Sequence, residues 1–371
     1  GAIRAGLVVV NTNPLYTARE LEHQLKDSGA RAIVIIENFA HTLEQCIAST
    51  SVEHVVLCSM GDMLGTLKGC LVNYVVRNVK KMVPAFNLPK AVRYKDAIRR
   101  GSSATFTKAD VGPNDIAVLQ YTGGTTGVSK GAVLLHRNII ANTLQCEAWF
   151  NPVLNVIRKS GEQVTSVCAL PLYHIFAFTV NMMLAMHTGG KNILIPNPRD
   201  LAGTLKELSK HKFHNFPAVN TLFNGLAHHP DFNTVDWSHL KVSVGGGMAV
   251  QGAVAKLWLE KTGCPIVEGY GLSETSPVVS CNPVTAKEFT GTIGVPNSST
   301  YVKLVGEDGH TVTEPGKTGE IAVKGPQVMA GYWQRPDETA KVMTADGYFL
   351  TGDIGTMDER SFIKIVDRKK D

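Results

Sequence analysis

The sequence predicts an α/β fold in which two parallel-type sheets are layered with helices and a small β-rich lobe follows them. Two observations carry this prediction. Strand and helix patterns alternate up to about Pro283, and the helical period disappears after roughly Gly291. The chain has 371 residues, of which 44% are hydrophobic, so it is long and apolar enough to bury a large core.

The alternating part opens with a helix whose two ends are marked. Residues 17–20 read Thr-Ala-Arg-Glu, a capping-box pattern, and Gly29 is suited to end the helix. A β-branched run at 32–36 follows as a strand. Further along, a strand at 242–244 precedes a helix at 251–261. Such alternation predicts parallel sheets that helices cover on both faces.

The last part of the chain is predicted to form antiparallel strands. Short alternating runs at 301–305, 319–323 and 362–366 are separated by Gly, Pro and Asp turns. The predicted organisation is α/β sheet subdomains over 1–290, a β-rich subdomain over 291–366 and a connecting segment over 367–371. The chain opens on an apolar run and closes on a charged one, so both ends are expected to lie within a longer protein.

Composition excludes several classes of function. A net charge of +5 is spread thinly without a basic block, which argues against a nucleic-acid partner. Seven cysteines are scattered without a Cys-x-x-Cys pair, which favours a reducing cytosol over a disulfide or zinc framework. The longest apolar stretch, 164–186, contains Pro171, His174 and Asn181, so a strand followed by a buried helix fits it better than a membrane span.

One glycine-rich run has the composition of a polyphosphate-binding loop. It lies between apolar, strand-like segments at 116–119 and 132–135. Its glycines let backbone N–H groups approach an anion, its threonines add hydroxyl donors and its lysine adds a positive charge. The common P-loop is excluded because it requires Gly-Lys-Ser/Thr, whereas an ordinary turn stays an alternative. The run is Tyr121, Thr122, Gly123, Gly124, Thr125, Thr126, Gly127, Val128, Ser129, Lys130, Gly131 and Ala132.

Five motifs in order resemble the adenylate-forming superfamily, which includes acyl-CoA synthetases, peptide-synthetase adenylation domains and luciferases. The glycine-rich run resembles its phosphate loop. The later motifs are Gly-Tyr-Gly-Leu-Ser-Glu-Thr at 269–275, Gly-Glu-Ile-Ala-Val-Lys-Gly at 319–325 with Gly-Tyr-Trp at 331–333, Tyr-Phe-Leu-Thr-Gly-Asp at 348–353, and 346–355 running on to 367–370. Segments 13–16, 171–176 and 325–329 look most like bacterial long-chain-fatty-acid–CoA ligases.

The resemblance implies two chemical steps. A fatty carboxylate attacks the α-phosphate of ATP to give acyl-AMP and pyrophosphate, and the thiol of CoA then displaces AMP. Mg²⁺, a lysine and N–H donors must neutralise charge when one anion approaches another. Two alternatives stay open: a ligase for medium-chain or aromatic acids, and a non-catalytic fragment that binds acyl groups or nucleotide.

The resemblance also implies roles for individual residues in nucleotide binding. Glu274 would hold Mg²⁺ and act in catalysis with Thr122, Thr125 and Lys130, while Ser273 supplies a hydroxyl contact. The adenine would lie among Gly245, Gly246, Gly247, Glu268, Gly269, Tyr270 and Gly271, with Tyr270 stacked on it. Asp353 would accept hydrogen bonds from the ribose hydroxyls, and Arg368 would add a ribose or phosphate contact.

The same resemblance implies an acyl pocket and a hinge. His174 would line the pocket, Phe178 would be its gating aromatic residue, and Tyr173 and Val219 would complete the wall. Lys370 matches the hinge that precedes a smaller C-terminal domain, and without that domain the chain is expected to be poorly active. His211, His214, His228 and His229 are not expected to bind metal, because the sequence places no carboxylate or cysteine partner beside them.

Residues 71–83 are the candidate for contact with a membrane. Valines 72, 75, 76, 79 and 83 share a helical face, while Arg77, Lys80 and Lys81 lie elsewhere, which suits an interfacial helix. The same pattern fits an ordinary surface helix packed on a core. The expected location is cytoplasmic with peripheral contact on the inner face of the cell membrane, and a homodimer is a further expectation.

Overall fold

The computed structural model describes residues 1–123 and 128–369. The chain divides into two compact units, one formed by residues 1–111 with 127–131 and the other by 112–126 with 132–371. Gly124, Thr125, Thr126 and Gly127 of the predicted phosphate loop, and Lys370 of the predicted hinge, lie outside the described residues.

The first unit contains a parallel sheet packed with helices. Thr17 Oγ1 accepts a hydrogen bond from the Glu20 N–H, and the Glu20 carboxylate accepts one from the Thr17 N–H, so the capping box predicted for the first helix is present. Gly29 ends this helix with a φ of 65°. The elements are β1 (Val9–Asn11), α1 (Ala18–Ser28), β2 (Ala32–Ile36), α2 (Ala40–Glu44), β3 (His54–Cys58), α3 (Thr66–Tyr74), β4 (Val92–Arg93) and α4 (Tyr94–Ser102). Strands β2, β3 and β4 pair in parallel in that order.

The second unit is built on a seven-stranded sheet in which β8, β7, β9, β10 and β11 run parallel and β12 and β13 add antiparallel pairs at one edge. Its core is aromatic, with Trp258 and Phe216 fully buried. The elements are β5 (Ile116–Thr122), β6 (Lys130–Leu135), α5 (His136–Lys159), β7 (Thr165–Cys168), α6 (Ile175–Ala177), α7 (Leu184–Thr188), β8 (Lys191–Leu194), α8 (Leu201–Leu208), β9 (Asn215–Ala218), α9 (Asn220–His228), β10 (Val242–Gly245), α10 (Gly252–Thr262), β11 (Ile266–Gly271), β12 (Val278–Cys281) and β13 (Val295–Pro296).

A five-stranded antiparallel sheet, in the order β15-β14-β16-β17-β18, completes the second unit. Its elements are β14 (Tyr301–Val305), β15 (Thr311–Val312), β16 (Thr318–Lys324), α11 (Pro336–Val342), β17 (Phe349–Met357) and β18 (Ile363–Arg368). The predicted α/β class is confirmed. The expected absence of helical structure after Gly291 is wrong at α11, where Pro336 occupies the first turn and Asp337 and Glu338 favour the helix start.

Two helical segments refine the sequence predictions. Between β7 and β8 the chain is helical from 175 to 188, with a π-helical part at Phe178–Met183, in agreement with a strand and a buried helix. In the first unit α3 continues as a π-helical turn at Val75–Val79. Among the described residues, no helix is both long enough and apolar enough to cross a bilayer.

Candidate active site

The carboxylate of Glu274 is held in place by a residue from a distant motif. Glu274 lies in the short turn Ser273–Thr275 after β11 and is only 8% exposed. Tyr332 Oη donates to Glu274 Oε1 at 2.9 Å, and the Met329 N–H donates to the Glu274 main-chain oxygen at 2.8 Å. Burial, followed by the negative charge of Glu274, raises the pKa of Tyr332 well above its ordinary value. Tyr332 therefore stays protonated and fixes the direction of the carboxylate.

The strand that leads into the glycine-rich run lies beside this carboxylate. Within the second unit, β5 packs against the turn that contains Glu274. Tyr121 is buried near the end of β5, and Thr122 is the last residue of that strand. On β6, the Val133 N–H donates to the Gly331 oxygen at 2.9 Å, and the Ala330 N–H donates to the Val133 oxygen at 3.0 Å. Three of the predicted motifs are thus neighbours.

The rest of the described part of the run begins β6 and the turn before it. Val128 is exposed, Ser129 and Lys130 are half-buried, and Gly131 and Ala132 are buried. Within the first unit, the Ser129 main-chain oxygen contacts His23 Nε2 at 2.9 Å. The roles predicted for these residues stay predictions.

A second pair of motif residues is joined by a short hydrogen bond. Tyr270 Oη donates to Asp353 Oδ2 at 2.5 Å, although the two residues belong to different motifs and different sheets. Burial and the charge of Asp353 raise the pKa of Tyr270 well above its ordinary value, so Tyr270 remains a donor. Arg368 Nε lies 3.9 Å from Asp353 Oδ1, and its exposed side chain makes that ion pair weak.

The glycines after β10 leave room that side chains would fill. A Cβ on Gly246 would lie 2.9 Å from the ring of Phe176, and Gly247 has a φ of +78°, which favours glycine. Nearby, the Val250 N–H donates to Glu268 Oε1 at 2.8 Å. Burial of Glu268 raises the pKa of its carboxyl above the ordinary value.

A cavity of about 170 Å³, here called the large cavity, opens beside these residues. Its wall joins polar motif residues to apolar side chains from α5, the 175–188 helix and the central sheet. The lining residues are Cys146, Trp149, Phe150, His174, Ile175, Phe176, Val180, Val244, Gly246, Gly247, Gly269, Tyr270, Gly271, Leu272, Ser273, Pro277, Val278, Cys281 and Asn297.

The predicted acyl-pocket residues divide into two groups. His174 lines the large cavity, and its Nδ1 accepts the Phe176 N–H at 3.3 Å, so the neutral ring carries its proton on Nε2. Partial desolvation lowers the pKa of His174. Phe178 is buried, and neither it nor Tyr173 nor Val219 belongs to the lining of this cavity.

Several residues at the site had not been singled out from the sequence. Trp149 and Phe150 were missed because their spacing on α5 is that of ordinary core residues. Trp149 Nε1 donates to the Asn282 main-chain oxygen at 3.1 Å, which fixes its ring. Tyr332 belongs to the Gly-Tyr-Trp motif at 331–333. A phenol in a motif of this kind is the sequence signal that indicates a role for Tyr332 at the site.

The prediction that the histidines lack carboxylate partners is wrong for three of them. His211 contacts Glu207 at 3.1 Å, His214 lies 3.6 Å from Glu162, and His229 lies 3.8 Å from Asp231. Glu207 and Asp231 are close to their histidines in sequence, whereas the fold brings Glu162 to His214.

Among the described residues, one cluster brings together enough ligand atoms to consider a metal ion, namely Glu162, His214 and His239. Its geometry opposes metal binding through His214 Nε2, because His214 Nδ1 accepts the Thr165 N–H at 3.1 Å. The neutral ring must then carry its proton on Nε2, which leaves that atom without a lone pair for a metal.

Comparison with known proteins agrees with this geometry. The chain belongs to the AMP-binding enzyme family, which matches residues 1–333. It is 53% identical over its whole length to a long-chain-fatty-acid–CoA ligase from Salmonella typhimurium, and it spans 65% of that protein. The family resemblance inferred from the motifs is confirmed.

The fold recurs in solved structures, of which two are described here. ATP-bound MatB from Rhodopseudomonas palustris is 26% identical with a TM-score of 0.78, over 98% of this chain and 64% of that one. A long-chain-fatty-acid-CoA ligase from Archaeoglobus fulgidus is 26% identical with a TM-score of 0.75, over 99% of this chain and 68% of that one.

Proposed function

We propose that the full-length protein activates a long-chain fatty acid with ATP to form acyl-AMP, and then transfers the acyl group to CoA. The observation that carries this proposal is the position of the large cavity, whose wall runs from Tyr270 and Ser273 to apolar side chains such as Trp149 and Val180. One end of such a cavity suits a nucleotide and a carboxylate, and the other suits a hydrocarbon chain.

In the first step the acid carboxylate attacks the α-phosphate, a P–O bond forms, and the bond to pyrophosphate breaks. Both reactants are anions, so the developing charge needs cationic and hydrogen-bonding partners. Lys130, Thr122 and the main-chain N–H groups of the glycine-rich run are the proposed partners. In the second step the CoA sulfur attacks the acyl carbonyl carbon and AMP leaves.

Mg²⁺ is proposed to bind through Glu274. The ion prefers oxygen ligands and is usually held by one or two carboxylates together with substrate phosphates. A nearly buried carboxylate that a phenol holds in one direction fits this donor set. When bound, the ion supplies positive charge to the phosphate oxygens. Glu274 orients it, and Tyr332 keeps Glu274 in place.

Asp353 and Tyr270 are proposed to bind the nucleoside. The carboxylate of Asp353 accepts the Tyr270 hydroxyl through Oδ2 and is 15% exposed. A carboxylate of this kind can accept hydrogen bonds from ribose hydroxyl groups. Its bond to Tyr270 fixes the phenol ring, which presents a flat face for an adenine base.

The proposal is tested by acid-dependent ATP–pyrophosphate exchange with the full-length protein, followed by measurement of acyl-CoA formation. We expect exchange with long-chain acids and thioester formation when CoA is added. Exchange only with aromatic or medium-chain acids would replace the proposed substrate class. Tight nucleotide binding without exchange for any acid would make the protein a binder and end the proposal.

We also propose a peripheral membrane contact on the first unit, through a face that differs from the valine face. Val76 is buried, and Arg77 binds Glu37 with two hydrogen bonds of 2.9 Å, so neither is available to lipid. Leu67, Leu71 and Tyr74 recur at helical spacing on α3 and are exposed. An exposed apolar stripe of this kind suits the boundary between lipid headgroups and acyl chains.

Vesicle co-sedimentation tests this contact. Replacing Leu67 and Leu71 by serine, or the exposed Lys80 and Lys81 by glutamate, should weaken binding to anionic vesicles. The matched control reverses Lys212 and Lys256, which are exposed in the second unit. Equal binding by all variants would leave α3 as an ordinary surface helix. The expected homodimer stays a prediction, which sedimentation of the full-length protein tests.

A further inference from the structure

A second, smaller cavity of about 20 Å³ lies in the same unit as the large cavity. It will be called the small cavity. Its wall is mostly apolar, and only Phe150 and Val180 also belong to the wall of the large cavity. These two side chains therefore stand between the two spaces.

Three separate elements line both cavities, each with one part at the large cavity and another part at the small one. On α5, Cys146 and Trp149 line the large cavity, and Leu154 and Ile157 line the small one, with Phe150 shared. On the helix at 175–188, Phe176 comes before the shared Val180, and Leu184 and Ala185 come after it. On β10, Val244 lines the large cavity and Val242 the small one. The small cavity therefore lies next to the large one along all three elements.

We propose that Phe150 and Val180 form a partition that limits how long an acyl chain the large cavity accepts, and that the small cavity is a closed extension of the same tunnel. This inference rests on the proposed function, because it assigns the acyl end of that site. The residues of α5 that line the small cavity, from Phe150 to Ile157, span about 10 Å of helix. Opening the partition would let a longer chain bury more methylene groups.

The far end of the extension sets a limit on this gain. The polar side chains of His214 and Asn215 contribute to its wall; His214 Nε2 lies 3.6 Å from Glu162, and Asn215 Oδ1 is buried without a hydrogen-bond partner in the described structure. A methyl group placed against such atoms gains less than one buried among apolar side chains. The first methylene groups past the partition should contribute most.

The test uses the full-length protein and a series of saturated fatty acids that differ by two methylene groups. The measurement is kcat/KM for acid-dependent ATP–pyrophosphate exchange. Because each newly buried methylene is worth roughly fourfold, Val180→Ala should raise the ratio of the longest to the preferred acid by roughly tenfold. Phe150→Leu should act in the same direction and covers the case in which the first variant does not fold.

Two further variants make the result specific. Adding Ala185→Leu to Val180→Ala should reverse the gain, because the added side chain occupies the extension. Val254→Ala removes the same atoms from a buried valine that lines neither cavity and should leave the length profile unchanged.

The outcomes separate the two proposals. A wild-type protein that exchanges with no acid would overturn the proposed function, and the partition with it. An active wild-type protein whose length profile is the same in Val180→Ala and Phe150→Leu would overturn the partition alone. A profile that shifts equally in Val254→Ala would show a general loosening of the core and would also overturn it.

Discussion

The polar and apolar ends of the large cavity are built in different ways. Next to the polar end, hydrogen bonds between distant motifs hold Asp353 through Tyr270, which itself lines the cavity, and Glu274 through Tyr332. At the apolar end, side chains such as Phe150 and Val180 make no directional bonds and are held by packing. A directional contact depends on one donor and one acceptor, whereas a packed wall changes shape with the volume of its side chains. The first end should respond to mutation in rate, and the second in substrate preference.

The largest effect is expected at Glu274. Glu274→Gln keeps an acceptor for the Tyr332 hydroxyl but removes the charge proposed to hold Mg²⁺, so exchange should fall roughly 100- to 1,000-fold. Tyr332→Phe keeps the Glu274 charge but removes the hydrogen bond that orients it, so the exchange rate should fall by a smaller factor. The measurement is ATP–pyrophosphate exchange as a function of Mg²⁺ concentration. Wild-type rates in Glu274→Gln at ordinary Mg²⁺ would remove the carboxylate from the mechanism.

A smaller effect is expected at Asp353. Asp353→Asn weakens hydrogen bonds from ribose, and hydrogen bonds to a charged group are worth about 1.5–3 kcal/mol, so the KM for ATP should rise roughly tenfold or more. Tyr270→Phe is the matched variant that removes the partner hydroxyl. Deoxyadenosine triphosphate distinguishes loss of ribose binding from a general loss of nucleotide affinity. If Asp353 binds the ribose, Asp353→Asn should raise the KM for this nucleotide less than it raises the KM for ATP. An unchanged ATP dependence in Asp353→Asn would exclude ribose binding there.

The apolar end gives the third prediction, which compares two phenylalanines. Phe176 lines the large cavity and Phe178 does not. Phe176→Ala should therefore change the KM for the fatty acid several-fold while leaving the KM for ATP unchanged. Phe178→Ala should mainly lower stability, since it truncates a buried side chain. A larger change of acid dependence in Phe178→Ala would support the predicted gating role of Phe178.

The smallest effect concerns stability and pH at Glu268. Burial raises the pKa of this carboxyl in the folded protein, so the folded state holds the proton more tightly than the unfolded state. The corresponding stability is present below the ordinary glutamate pKa and is lost as pH rises through the folded pKa. Glu268→Gln keeps an acceptor for Val250, and denaturant unfolding of this variant should depend less on pH across that interval. An identical pH slope in both proteins would contradict the assignment.

The contrast between the two ends also explains what the sequence could predict. The residues near the polar end belong to motifs with unusual composition, and the fold joins these motifs through the Tyr270–Asp353 and Tyr332–Glu274 hydrogen bonds. The apolar wall draws on Trp149 and Phe150, whose helical spacing is the same as that of any core residue. Only the fold distinguishes a side chain that faces a cavity from one that faces another side chain.

The division into units was not predictable for a related reason. The chain changes unit after Val111, directly before Gly112-Pro113, but the same pair recurs at Gly325-Pro326 inside the second unit and so does not mark a boundary by itself. The composition change near Gly291 marks a change of sheet type inside the second unit. Composition reports the kind of secondary structure, whereas unit boundaries depend on which segments pack together.

The first half of helix α5, before the residues that line the cavities, is attached to the rest of the second unit through main-chain hydrogen bonds. Asn138 Nδ2 donates to the main-chain oxygens of Pro326 and Val328, and Asn142 exchanges hydrogen bonds with both main-chain groups of Val278. Gln145 Nε2 donates to the Ser298 oxygen at 2.6 Å. Every residue type offers a main-chain carbonyl, so the side chains at 298, 326 and 328 can change without breaking these bonds. A protein of this design can acquire a new substrate while its scaffold stays anchored.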